Sequence, residues 1–120
     1  MRRFKVSVTT AADGTATAYS PRISGKIHQI EYVKTDFAAG VDFTITGEAT
    51  GVGLWTEADV NASTARAPRQ PTHSQVGAAL LYAAGGTAQS APVALASDRV
   101  KIVIAQGGAA KVGTFHILVD

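Results

Sequence analysis

The sequence predicts a single all-β domain, a sandwich or barrel of about seven to eight short strands with one long loop or arm. Three observations carry that expectation. Apolar and polar residues alternate with period two in run after run, glycine-bearing turns separate the runs, and the 120 residues show no linker or composition break. One domain over residues 1–120 follows, long enough to bury one core.

The first run is Phe4–Thr10, where Phe4, Val6 and Val8 alternate with Lys5, Ser7 and Thr9. One face buries and the other stays wet, which is a half-buried strand. Asp13-Gly14 follows and suits a hairpin turn, with Thr15–Tyr19 returning as a second strand that stops at Pro21. The run Lys26–Lys34 carries Ile27, Ile30, Tyr32 and Val33; its phase slips between Ile27 and Ile30, which predicts a bulge or burial of both faces. Thr35–Gly40 reads as a loop. Val41, Phe43 and Ile45 alternate with Asp42, Thr44 and Thr46 as a further strand, and Leu54-Trp55-Thr56 resumes briefly after Gly47, Gly51 and Gly53.

Ala58–Gln75 breaks the pattern. It has no periodicity, and Pro68 and Pro71 interrupt any helix or central strand, so a long ordered loop or arm is expected. Val76–Ala84 is rich in Ala and Leu and fits a short helix face or a strand, with the balance toward strand or irregular structure. Val93–Leu95, Val100–Ile104 and Thr114–Val119 complete the strands, and Gly107-Gly108-Ala109-Ala110 makes the last turn.

Composition narrows the function. Without cysteine there is neither a disulfide framework nor a thiolate metal site. Charged residues are 17% of the chain, against about 25% in typical domains. Ala, Gly, Thr and Val replace them, leaving a surface that is easily desolvated against neighbours. An ordinary robust β domain has the same composition. The net charge of +2 is scattered apart from Arg2, Arg3 and Lys5, which is no nucleic-acid footprint. Met1-Arg2-Arg3 runs into a strand rather than an apolar segment, and no run approaches a membrane span. Synthesis in the cytoplasm without ordinary export is expected, with no membrane or nucleic-acid partner.

Catalytic constellations are missing. His28, His73 and His116 lack metal-ligand spacing, although His28 and His116 fall in expected strands whose pairing could bring the rings together. The carboxylate pairs Glu57/Asp59 and Asp36/Asp42 read as solvated loop charges. There is no Gly-x-Ser-x-Gly elbow, and Gly107-Gly108-Ala109-Ala110-Lys111 departs from phosphate-loop spacing. No catalytic residue, metal or cofactor is expected. The candidate partner-binding residues are Arg66, Pro68, Arg69 and Pro71, because prolines lower the entropy lost on docking and arginines offer forked donors. Trp55 joins them if its strand turns it outward; otherwise it anchors the core.

A resemblance then emerges. Tyr19-Ser20-Pro21, Gly25 through Phe37, Gly40 through Thr46, Leu54-Trp55-Thr56-Glu57, Val60-Asn61-Ala62-Ser63, Tyr82 through Thr87, Asp98 through Ile102 and Gly113 through Ile117 resemble small structural proteins of tailed bacteriophages. The resemblance implies a virion protein, a capsid decoration or cement protein on the outside of the major capsid shell. Its partners would be the major capsid protein and copies of itself, as a dimer or trimer. A tail or head–tail joining component and a carbohydrate- or receptor-binding module are the alternatives.

Overall fold

The alternating residues turn to one side and meet. Val6, Val8, Ile27, Ile30, Tyr32, Phe43, Ile45, Ile102, Ile104, Phe115, Ile117 and Val119 are all buried. In the computed structural model, which describes all of residues 1–120, they line the space between two antiparallel sheets. The ten strands are β1 (Arg2–Thr9), β2 (Ala16–Tyr19), β3 (Ile23–Lys34), β4 (Asp42–Gly47), β5 (Gly53–Glu57), β6 (Thr64–Arg66), β7 (Arg69–Pro71), β8 (Ser90–Asp98), β9 (Val100–Ala105) and β10 (Val112–Val119). One sheet runs β1-β10-β3-β8-β7 with β6 also against β3; the other runs β2-β9-β4-β5. The chain is an all-β sandwich.

β3 is the axis of the larger sheet. One edge pairs with β10, and the other is shared between β8, on Ile23–Ile27, and β6, on Ile30–Tyr32. The phase slip at Ile27–Ile30 is a bulge: Leu118 pairs with Gln29 and Val119 with Ile27, so His28 is the extra residue. The bulge lets one strand bury Ile27 and Ile30 together.

The expected hairpin across Asp13-Gly14 is corrected. β1 pairs with β10, whereas β2 pairs with β9 in the other sheet. The turn itself forms, with Gly14 at φ 82° and its amide bonded to the Ala11 carbonyl. The Gly107 amide then donates to the Gly14 carbonyl, and this loop-to-loop bond helps steer the chain across the sandwich. A turn signal is local, but which sheet receives the next strand is decided by a partner some ninety residues away.

Most connections cross between the sheets in this way, and buried polar side chains secure three of the corners. Thr10, Ser20 and Asp98 are the buried polar or charged residues. Thr10 donates to the Gly108 carbonyl and accepts from the Lys111 amide. Ser20 accepts from the Val100 amide at 2.8 Å. Asp98 accepts from the amides of Ala49 and Arg99. Each satisfies backbone groups that a departing strand leaves without a ladder.

At the centre, Tyr32 and Phe115, cross-strand neighbours on β3 and β10, meet Phe43 of β4 and Trp55 of β5. Tyr32 and Phe43 lie 4.7 Å apart edge to face, and Phe43 and Phe115 5.0 Å. Phe37, from the β3–β4 connection, stacks on Tyr32 and lies over Gly113. A β-carbon at Gly113 would fall 2.3 Å from the Phe37 ring, so only glycine admits it.

Ala58–Gln75 differs from expectation. Its middle forms β6 and β7 on the larger sheet, adding to the expected strand count. The exposed arm begins later, at Thr72, and runs to Gln89 as the extended loop of the β7–β8 hairpin. Val76–Ala84 lies within it as turns and isolated bridges.

Gly113→Ala is expected to destabilise the fold by about 2 kcal/mol, by overpacking against Phe37, read as a lower urea midpoint at constant m-value. The Tyr32 hydroxyl is buried without a hydrogen-bond partner, and burial pushes its pKa up to about 12. Tyr32→Phe removes that unsatisfied group and should raise stability by about 1 kcal/mol, measured by the same titration.

Candidate interaction surface

The structure divides the candidate binding residues. Trp55 is only 5% exposed and belongs to the core, so its outward reading is corrected. The reason is a register shift between Ile45 and Thr46 opposite β5, which lets both Leu54 and Trp55 face inward. Pro68 is buried too.

The two arginines are engaged within the chain. Arg66 grips Glu57 with two bonds, Nε to Oε1 at 2.9 Å and Nη2 to Oε2 at 3.0 Å. Its Nη1 donates to Thr64 Oγ1 and the Ala65 carbonyl, and the guanidinium lies 5.6 Å from the Trp55 ring centroid. Trp55 Nε1 donates to the same Glu57 at 3.0 Å. This cluster clamps β6 over β5 and leaves little of the Arg66 fork for a partner. Arg69 Nη1 donates to the carbonyls of His28 and Pro68. Pro71 alone is free, at the base of the arm.

The other polar residues serve structure. β3 and β10 do pair, but His116 stands between Glu31 and Lys5 in the register while His28 sits in the bulge, so the two histidines are not opposite. Asp36 accepts from the Val112 amide, and Asp42 from the Asp59 amide at 3.1 Å. These carboxylates tether loops. No group of three or more His, Asp or Glu side chains converges on a metal-sized site.

What remains is the arm, which sequence reasoning placed too early. It is two small lobes joined at a three-way node: the Thr72 amide donates to the Gln89 carbonyl, Gln89 to Leu80, and Leu80 back to Thr72, at 2.8, 2.8 and 3.0 Å. The first lobe pairs His73 with Ala79 and turns at Ser74–Gly77; the second pairs Leu81 with Ala88 and turns at Ala83–Gly86. Every residue from His73 to Thr87 is exposed. Val76 is 89% exposed and Tyr82 75%, with Leu80 and Leu81 each near two-fifths. Burying such chains against a partner is favourable at about 25 cal/mol per Å².

The arm is also uncharged. From Gln70 to Ser97 there is no Asp, Glu, Lys or Arg. By contrast, the free edge of β1 carries exposed Arg2, Arg3 and Lys5, the usual guard against edge-to-edge association. That charge-free stretch was visible in the sequence, whereas the prolines and arginines upstream belong to short strands paired to the larger sheet. Comparison with protein-family models, curated proteins and solved structures finds no match for the chain.

Hydrogen bonds from Arg66 and then Trp55 hold the Glu57 carboxyl below its ordinary value of 4.5. A carboxyl depressed in the folded state contributes stability above its unfolded pKa and loses that contribution as pH falls through the folded one. Glu57→Gln should therefore lower stability at neutral pH, by no more than about 1 kcal/mol because the pair is partly exposed. Melting curves of variant and parent should converge as pH drops below 4.5.

Proposed function

We propose that this protein is a non-enzymatic structural component of a bacteriophage virion, a decoration protein that attaches to the outside of the major capsid shell and stabilises it. One observation carries the reading: the sandwich extends an ordered, exposed and wholly uncharged arm whose apolar chains nothing in its own body covers. Such a segment in a free-standing domain is an aggregation liability, but in a permanent assembly it is a contact. The likeness of the strand segments to small tailed-phage virion proteins supports the same reading, as does the low charge of the remaining surface. On a repeating shell, many modest contacts combine through effective concentration, so each can be weak. The location is then the virion, with assembly in the host cytoplasm.

The arm can be removed without cutting the sheet. Pro71 and Ser90 are register partners and the Thr72 amide bonds the Gln89 carbonyl beyond them, so replacing His73–Ala88 by Asn-Gly closes β7 and β8 with a two-residue hairpin. The armless variant is expected to keep the circular dichroism of the parent and to lose co-sedimentation with capsids. Cryo-electron microscopy of particles should place the intact protein in hundreds of copies across the shell. Copies confined to one vertex would move it to the tail, and unchanged attachment without the arm would remove the arm from the reading.

A further inference from the structure

We infer that Arg69 is a positioning residue: by tying β7 to the bulge of β3 it fixes the direction in which the arm leaves the sandwich. That direction belongs to this chain alone, whereas its consequence for attachment rests on the arm being the shell contact.

The arm stands on a narrow base. It grows from the β7–β8 ribbon, in which Arg69 pairs with Pro92, Gln70 with Ala91 and Pro71 with Ser90. A two-stranded ribbon is marginal by itself and twists readily. β7 pairs with β8 alone, and β8 is paired with β3 only as far as Val93, opposite Ile27. The next residue outward is Pro92, which has no amide to continue that ladder. The ribbon parts from the larger sheet at this point, and strand pairing to β3 does not hold it further.

β3 is open at the same place. Along that edge its residues pair with β8 up to Ile27 and with β6 from Ile30, so His28 and Gln29 lie between the two strands. His28 is the extra residue of the bulge. Its carbonyl accepts from Arg69 Nη1 at 3.2 Å, and the same nitrogen donates to the Pro68 carbonyl at 2.8 Å. One guanidinium therefore joins the bulge, the buried Pro68 and the first residue of the ribbon. A planar, preorganised donor group holds such a geometry better than a flexible ammonium. Bulges bend a strand and re-aim what it carries, and this one presents a carbonyl to the strand at the base of the arm.

Above the base, the Thr72–Gln89–Leu80 node already braces the arm internally. The freedom left to remove is the swing of the ribbon, and an element fixed in its docking direction loses less freedom on binding.

The chain has no cysteine, so Ser7→Cys on β1 and Ala84→Cys on the arm place spin labels at two chosen, exposed positions. Double electron–electron resonance of the labelled full-length protein should give one narrow distance distribution. Arg69→Met, which keeps the apolar stem and removes the donors, should broaden or shift that distribution at a parental urea midpoint. Gln70→Ala, exposed on the same strand, should leave it unchanged. Without labels, Arg69→Met should bind purified capsids about tenfold more weakly. An unchanged distribution in Arg69→Met, or equal broadening in Gln70→Ala, overturns the inference. Parental capsid binding by Arg69→Met despite a broadened distribution overturns its consequence for attachment. Capsid binding that survives removal of the arm defeats the reading of the arm as the contact, and the distances still decide what Arg69 does.

Discussion

The sandwich depends on one contact, the edge-to-face meeting of Tyr32 and Phe115 from one sheet with Phe43 and Trp55 from the other. These rings are the largest side chains in the interior, and they come from β3, β10, β4 and β5, so their packing joins the centres of both sheets. Edge-to-face geometry adds about 1 kcal/mol per pair beyond burial. Phe37 enters the same cluster only because Gly113 yields its space, which ties the β3–β4 connection to the core. Without cysteine, no crosslink substitutes for this packing.

Around that centre the chain changes sheets repeatedly, and each crossing leaves ladder groups to be satisfied. Thr10, Ser20 and Asp98 meet that need with hydrogen bonds to backbone distant in sequence. At the β5–β6 crossing the fastening is between side chains instead: the Arg66–Glu57 ion pair and the Trp55–Glu57 bond hold a short strand against its neighbours. The polar residues that first suggested recognition are largely the fasteners of a fold whose connections cross between layers.

One element stands outside that framework. The arm contributes nothing to the inter-sheet packing, holds itself together by a three-way backbone node, and has no charge. Body and arm therefore differ in chemistry: the charged residues all lie on the sandwich and the projection carries none.

The layering of this protein was legible in its residues. Period-two alternation at Phe4–Val8, Val41–Ile45, Val100–Ile104 and Thr114–Val119 named the buried faces, and the slip at Ile27–Ile30 announced a bulge, because side-chain direction in a strand is a local property. Partnership is not local. Asp13-Gly14 announces a turn but cannot say that β2 joins β9; Leu54-Trp55 cannot reveal that a bulge at Leu54 on β5 buries both; and Arg66 shows no sign that Glu57 will pair with it. The free arm followed the same rule. Its lack of charge stood in the sequence, but only the tertiary structure decided that Thr72–Gln89 lies outside the core while β6 and β7 before it join the larger sheet, because strand pairing depends on which edges the rest of the chain brings within reach.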